Sequence, residues 1–347
     1  MSMRSGRGIS PAARPPMPRL LITRPAYRRL QPHLASLAGL VCLVMDEQGV
    51  VRRDDAEDIN GDPAPDCALV SNDYFGSAVA PHLRAALEKA PRLGWVQSVG
   101  AGTDNPIFVM LARKGVPIST NHGQADGMAE YVLWGVLDYF QGGKARAVDQ
   151  AAHRWAKHPW REIGGTRWLI VGFGAIGQAV ARRARAFGVD VTGVRREAVP
   201  SPFAGAVITP NQLRDRLGDC DVVLLCLPRT AATHGLVDAG FLAAMKPGSL
   251  LINVGRGSVI DEDALLAALD AGRPAHALLD VFRVEPLPGD SRFWDHPRVT
   301  LTAHSSALST ANEAKTDRVF LANLARYVAG EAPLDQVSPD QILAAQP

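Results

Sequence analysis

The stretch WLIVGFGAIG, residues 168–177, decides how the rest of the chain reads. Four apolar residues of strand length run directly into Gly172, Gly174 and Gly177 at the spacing G-x-G-x-x-G, and a helix-period segment over 175–187 follows. Each glycine has its own physical reason. Gly172 allows a tight turn, Gly174 lets the backbone approach a pyrophosphate, and Gly177 lets helix and strand pack closely. A helix that begins there offers free N–H groups and a partial positive charge to phosphate oxygens. Glycine-rich turns are common, so the spacing alone is weak. Here the strand, the helix and a second strand, VDVTGV (189–194), stand in order around it. The expectation is a dinucleotide site that includes Ala175 and Ile176 with the three glycines.

The residues after that second strand discriminate between cofactors. An acidic side chain there would hold a ribose 2′-hydroxyl. This chain has Arg195 and Arg196, with Glu197 just beyond. Two guanidinium groups suit a 2′-phosphate, which a carboxylate would repel. NADP is favoured over NAD. Two solvated arginines at a strand end are the plainer alternative.

Outward from this unit the alternation continues. A helix near Gln212, DVVLLCL (221–227), a helix near Leu242, SLLINV (249–254), a helix over 262–271, ALLDVF (277–282) and VTLT (299–302) follow one another. Upstream, LLIT (20–23), LVCLVM (40–45), CALV (67–70) and WVQSV (95–99) read as buried strands, with a helix over 79–93. A proline-free segment over 127–152 reads as one long helix joining the two parts, and a last helix over 310–329 is long enough to return to the first. The fold class is α/β: two Rossmann-like, doubly wound parallel-sheet domains joined by long hinge helices. Hinges are expected near 121–127 and 305–310. Residues 1–19 are basic, free of acids and broken by prolines. They lack the apolar core of a secretory signal and read as a disordered tail.

Three polar residues fall on loops after strands of the second unit, where open α/β sheets carry ligands. Arg256 follows SLLINV, Glu285 follows ALLDVF, and His304 follows VTLT. Singly, each has a dull alternative as a solvated or hydrogen-bonded side chain. Together they suit hydride transfer between a nicotinamide and a 2-keto or 2-hydroxy acid. A histidine titrates in the range needed to protonate the carbonyl oxygen. A neighbouring carboxylate raises its pKa and orients it. An arginine binds a substrate carboxylate through parallel N–H donors.

Over about 90–335 the sequence resembles the D-isomer-specific 2-hydroxyacid dehydrogenase family, which includes glyoxylate/hydroxypyruvate reductases. The resemblance rests on VGFGAIG (171–177), LPRTAATHGLV (227–237), MKPGSLLINVGRGSVIDEDAL (245–265), ALLDVFRVEPLP (277–288) and WDHPRVTLTAHSSA (294–307). It implies that Arg256 orients substrate, that His304 is the acid/base and that Glu285 is its partner. Leu227 and Pro228 would flank the adenine or ribose, Thr233 on the same loop would belong to the cofactor site, and Val254, Asp280 and Ser306 would complete that site, with Asp280 near the nicotinamide carboxamide. In SVGAGTD (98–104), the N–H groups of Ala101 and Gly102 would meet the substrate carboxylate. The implied domains are 20–124 with 309–347 for substrate and 125–308 for dinucleotide, in a homodimer to which 127–155 contributes. The family usually has Pro where Ala303 stands, and often Gly or Ala in place of Ser305 and Ser306. Trp155 is placed either near a neighbouring subunit's site or in packing, and Tyr74 is a candidate to face the cleft.

Bulk properties agree with this. A length of 347 residues suits two domains. With 47% hydrophobic and 21% charged residues, the chain has the balance of a soluble globular protein. There is no apolar run of membrane-spanning length. A net charge of +2 gives no support to nucleic-acid binding. Cys42, Cys67, Cys220 and Cys226 form no CxxC pair and no metal-ligand spacing, so no metal and a reducing, cytoplasmic setting are expected. Other readings are a phosphoglycerate dehydrogenase, which the little sequence after the last helix disfavours except as a short form without an appended regulatory domain, and a non-catalytic NAD(H)-binding regulator. Glu285 argues against a formate dehydrogenase, where Gln is typical.

Overall fold

Strand residues point alternately to opposite faces, so an apolar run without polar alternation belongs to a sheet covered on both sides. The computed structural model, which describes residues 17–59 and 63–346, has two such sheets. Contacts divide the chain into two units, one of residues up to 121 with 316–344 and the other of residues 122–315. The return crossing therefore falls within the first turns of the helix Asn312–Val328.

In the second unit seven parallel strands lie in the order Ala206–Ile208, Asp190–Val194, Arg167–Val171, Val222–Leu225, Leu250–Asn253, His276–Leu279 and Val299–Leu301. The chain starts in the middle with Arg167–Val171, winds outward one way, then crosses back to Val222–Leu225 and winds the other way. Trp168 and Ile170 pack into one apolar layer with Val132 and Val180, while Leu169 and Val171 pack into the other with Leu242 and Leu265. Burying each such side chain fully stabilises the fold by about 1.5–3 kcal/mol, which is why a sheet with two covered faces needs unbroken apolar strands.

In the first unit five parallel strands, Ile118–Ser119, Trp95–Ser98, Cys67–Val70, Arg19–Thr23 and Val41–Met45, form the centre. Antiparallel strands flank them at both edges, Gln336–Val337 on one side and the pair Val51–Arg53 and Glu57–Asp58 on the other. The fold class read from the sequence holds, with these short edge strands added.

Local expectations need correction in five places. The segment over 127–152 is two helices, Ala125–Phe140 and Gly143–Ala151. Gly142 lies between them at φ 68°, a left-handed conformation that ends a helix and that glycine adopts without steric cost. The helix expected over 79–93 stops at Lys89, just before Pro91. Near Gln212 the chain makes short 3-10 turns, Pro210–Gln212 and Arg214–Asp219. Tyr74 does not face a cleft; it is buried in the first unit's core with Leu21 and Met45. The expected tail over 1–19 falls outside the described residues up to 16, and Arg19 already belongs to a strand. Among the described residues, no helix is long and apolar enough to cross a membrane.

Candidate active site

The glycine turn sits where the winding of the second sheet reverses, between Arg167–Val171 and Val222–Leu225, the position at which open α/β sheets bind ligands. Gly172 has φ 98°, and a Cβ there would lie 2.5 Å from the carbonyl oxygen of Cys226. A Cβ on Gly177 would lie 2.6 Å from the oxygen of Gly172. Both glycines are therefore demanded by the protein's own backbone. Gly174 is different: a Cβ there would meet nothing within 4 Å. It opens the helix Ala175–Ala186, whose N-terminus receives no side-chain cap. The N–H groups of Ala175 and Ile176 in that first turn have no acceptor among the described residues, and the helix dipole lies behind them. This is a cradle for an anion, and its chemistry fits a pyrophosphate.

Arg195 and Arg196 lie exposed at the end of Asp190–Val194, and neither forms an ion pair among the described residues. Across the turn, the Thr233 hydroxyl donates to the Pro228 oxygen at 2.7 Å and accepts from the Thr230 N–H at 2.9 Å. Thr233 thus shapes the loop that carries Leu227 and Pro228. Val254 is buried at the end of Leu250–Asn253.

Arg256 is held in a narrow passage. A Cβ on Gly255 would lie 2.5 Å from the Leu227 oxygen, and one on Gly257 would run into the Phe282 carbonyl carbon at 1.9 Å. Asn253 completes the brace, accepting from the Gly255 N–H and donating to the Arg256 oxygen, both at 3.0 Å.

His304 Nδ1 lies 2.7 Å from Oε2 of Glu285, whose other oxygen accepts the Phe282 N–H at 2.9 Å. An ionised carboxylate only accepts, so Nδ1 carries the proton, and Nε2 is the nitrogen left without a hydrogen-bond partner among the described residues. The hydrogen bond to Glu285 raises the His304 pKa; burial and Arg256 work against it, while the charges of Glu285 and Asp280 assist. Burial alone would raise the Glu285 pKa, but the hydrogen bonds from His304 and Phe282 outweigh it and hold the carboxyl below its ordinary value.

His304 itself has φ 48°, which a side-chain-bearing residue rarely adopts. Asp280, with 0% exposure, holds that turn. Its oxygens accept the Thr302 hydroxyl at 2.6 Å and the N–H groups of Ser305 and Ser306 at 2.8 and 3.0 Å. Its own carbonyl accepts the His304 N–H at 2.8 Å. The Tyr131 and Thr302 hydroxyls are 2.5 Å apart. Sequence reading missed Asn253, Tyr131 and Thr302, because a strand-end Asn or Thr and a helical Tyr look like ordinary packing residues.

Of the remaining sequence-derived residues, Ala101 and Gly102 lie in the first unit, in the turn after Trp95–Ser98. Their N–H groups have no protein acceptor among the described residues. Trp155 is 98% exposed and so packs on almost nothing among the described residues.

Residues 133–306 match the family model for the D-isomer specific 2-hydroxyacid dehydrogenase, NAD binding domain. Glyoxylate/hydroxypyruvate reductase A of Serratia proteamaculans (strain 568) is 35% identical over 254 residues, which is 70% of this chain and 79% of that protein. Among solved structures, a D-isomer specific 2-hydroxyacid dehydrogenase family protein from Aeromonas salmonicida subsp. salmonicida A449 is similar with a TM-score of 0.77 and 31% identity, over 94% of this chain and 100% of that one. An NADPH-dependent glyoxylate/hydroxypyruvate reductase from Sinorhizobium meliloti, solved with NADP and sulfate, has a TM-score of 0.75 and 27% identity over 94% and 99% of the two chains. This chain belongs to the D-isomer specific 2-hydroxyacid dehydrogenase family.

Proposed function

We propose that the protein reduces a small 2-keto acid of the glyoxylate or hydroxypyruvate type to the D-2-hydroxy acid, with NADPH as the preferred reductant. The observation that carries this reading is the His304–Glu285 pair facing Arg256 at one end of the sheet that also carries the phosphate cradle. The reduced nicotinamide, when bound, supplies the hydride. The chain supplies the rest. Arg256 holds the substrate carboxylate and polarises the carbonyl. His304 Nε2 gives its proton to the carbonyl oxygen as that oxygen gains charge, and regains one from solvent afterwards. Glu285 keeps the ring oriented and stabilises its charged form. On the first unit, the amides of Ala101 and Gly102 make an anion-binding turn suited to a carboxylate.

The cofactor assignments follow the same division. Gly174, Ala175, Ile176 and the flanking Gly172 and Gly177 take the pyrophosphate, and Arg195 and Arg196 take the 2′-phosphate. Leu227, Pro228 and Thr233 line the adenosine side, while Val254, Asp280 and Ser306 border the nicotinamide. Preference for NADP is in keeping with the Sinorhizobium reductase, which was solved with NADP. The proposed form is a cytoplasmic homodimer, with the exposed Trp134, Val148 and Trp155 of the 127–155 segment at the interface; sedimentation equilibrium tests that assembly. Stopped-assay measurement of NADPH oxidation with glyoxylate, hydroxypyruvate and larger 2-keto acids tests the activity. Turnover with none of them would overturn it.

A further inference from the structure

Asp280 is a fully buried carboxylate with no cationic side chain paired to it among the described residues. Such a charge is costly unless donors surround it. Its donors all come from the turn that carries His304, namely the Thr302 hydroxyl and the Ser305 and Ser306 amides. The charge and the turn therefore define each other. Thr302 has one hydroxyl proton, which goes to Asp280 because the carboxylate cannot donate. It follows that Tyr131 donates to Thr302, and the two hydroxyls form a chain polarised toward Asp280.

We propose that Tyr131 and Thr302 are positioning residues for His304, acting through Asp280 to clamp the 302–306 turn and so hold the imidazole against Glu285. This rests on the acid–base reading of His304 given above and deepens it. Tyr131 lies on the helix Ala125–Phe140, so the clamp ties the turn to a second element of the unit. Burial, assisted by the Asp280 charge and opposed by the Thr302 contact, pushes the Tyr131 pKa up to about 12. The phenol therefore stays a neutral donor throughout the working range. The charged groups facing His304 are Glu285, Arg256 and Asp280, and only its bond to Glu285 depends on ring placement to within a few tenths of an ångström.

The test is the imidazole titration of His304, read by NMR in the full-length protein and assigned with His304→Gln, set beside the pH profile of NADPH-dependent reduction. Thr302→Val removes the donor to Asp280 at nearly constant shape. The relay predicts that the His304 pKa moves down by about half a unit or more and that kcat falls about tenfold or more. The high-pH limb of activity should shift to lower pH in step with the NMR titration. Thr302→Ser should restore both readouts, and Tyr131→Phe should move both in the same direction by less. An unchanged titration in Thr302→Val and Tyr131→Phe would overturn the relay, as would failure of serine to rescue. A His304 pKa that responds as described in a protein with no turnover on any 2-keto acid would uphold the relay and overturn the reductase reading.

Discussion

Nδ1 of His304 lies 2.7 Å from Oε2 of Glu285, and this contact leaves Nε2 as the nitrogen available to a substrate. The imidazole can then act only from one side, and its charge state follows the carboxylate beside it.

Glu285→Gln keeps an acceptor beside the ring but removes the charge. The His304 pKa is raised in the folded protein, so the reductive proton is present below that pKa and is lost as pH rises through it. With Gln in place, the loss should begin at lower pH, so the high-pH limb of kcat/KM moves down while NADPH affinity holds. A profile superimposable on wild type would remove Glu285 from the role given to it.

The three glycines of the turn should separate into two kinds. A Cβ at Gly174 meets no protein atom within 4 Å, so Gly174→Ala should melt as wild type does and yet lose dinucleotide binding by about tenfold or more, because side chain intrudes on phosphate in the cradle. Gly172→Ala forces a Cβ toward the Cys226 oxygen at φ 98° and should lower the melting temperature outright. Thermal melts with and without NADPH distinguish them.

Much of this was legible in sequence, and the reasons are local. Central strands such as Val222–Leu225 are covered on both faces and so read as unbroken apolar runs. Arg256, Glu285 and His304 each follow such a run, which put them at one end of a parallel sheet. The edge strands Val51–Arg53 and Glu57–Asp58 are short and polar, with nothing to distinguish them from loop. The break at Gly142 was hidden because apolar periodicity continues to Phe140 and helix-forming residues resume at Lys144. Tyr131 and Thr302 could not be singled out, since their role exists only through the Asp280 carboxylate that the fold brings to them.

Cofactor choice is assigned to the exposed arginines at the end of Asp190–Val194. Arg195→Asp replaces a partner of the 2′-phosphate with a group that repels it and can bond the 2′-hydroxyl. The ratio of kcat/KM for NADPH over NADH should fall by about tenfold or more. An unchanged ratio would show that Arg195 does not read the 2′ position.

Asp221 contributes to stability away from the site. Burial alone would raise its pKa, but Lys246, the Arg167 N–H and Arg161 pull it from 3.8 to about 2. A depressed carboxylate stabilises the fold above its unfolded pKa, and the gain is lost as pH falls through the folded value. Asp221→Asn should therefore cost about 2 kcal/mol near neutral pH. Urea unfolding should show the gap to wild type closing between about pH 4 and pH 2. A gap independent of pH would mean that the loss is one of packing.

In the proposed reaction His304 completes an NADPH-dependent 2-keto acid reductase. The most direct measurement is NADPH oxidation by the wild-type protein and by His304→Ala, given glyoxylate or hydroxypyruvate, beside NADPH binding by both. Turnover by the wild type is expected, with a loss of about 1,000-fold or more in the variant and NADPH affinities within a few fold of each other. Equal turnover by the two proteins, or none by the wild type with either acid, would contradict it.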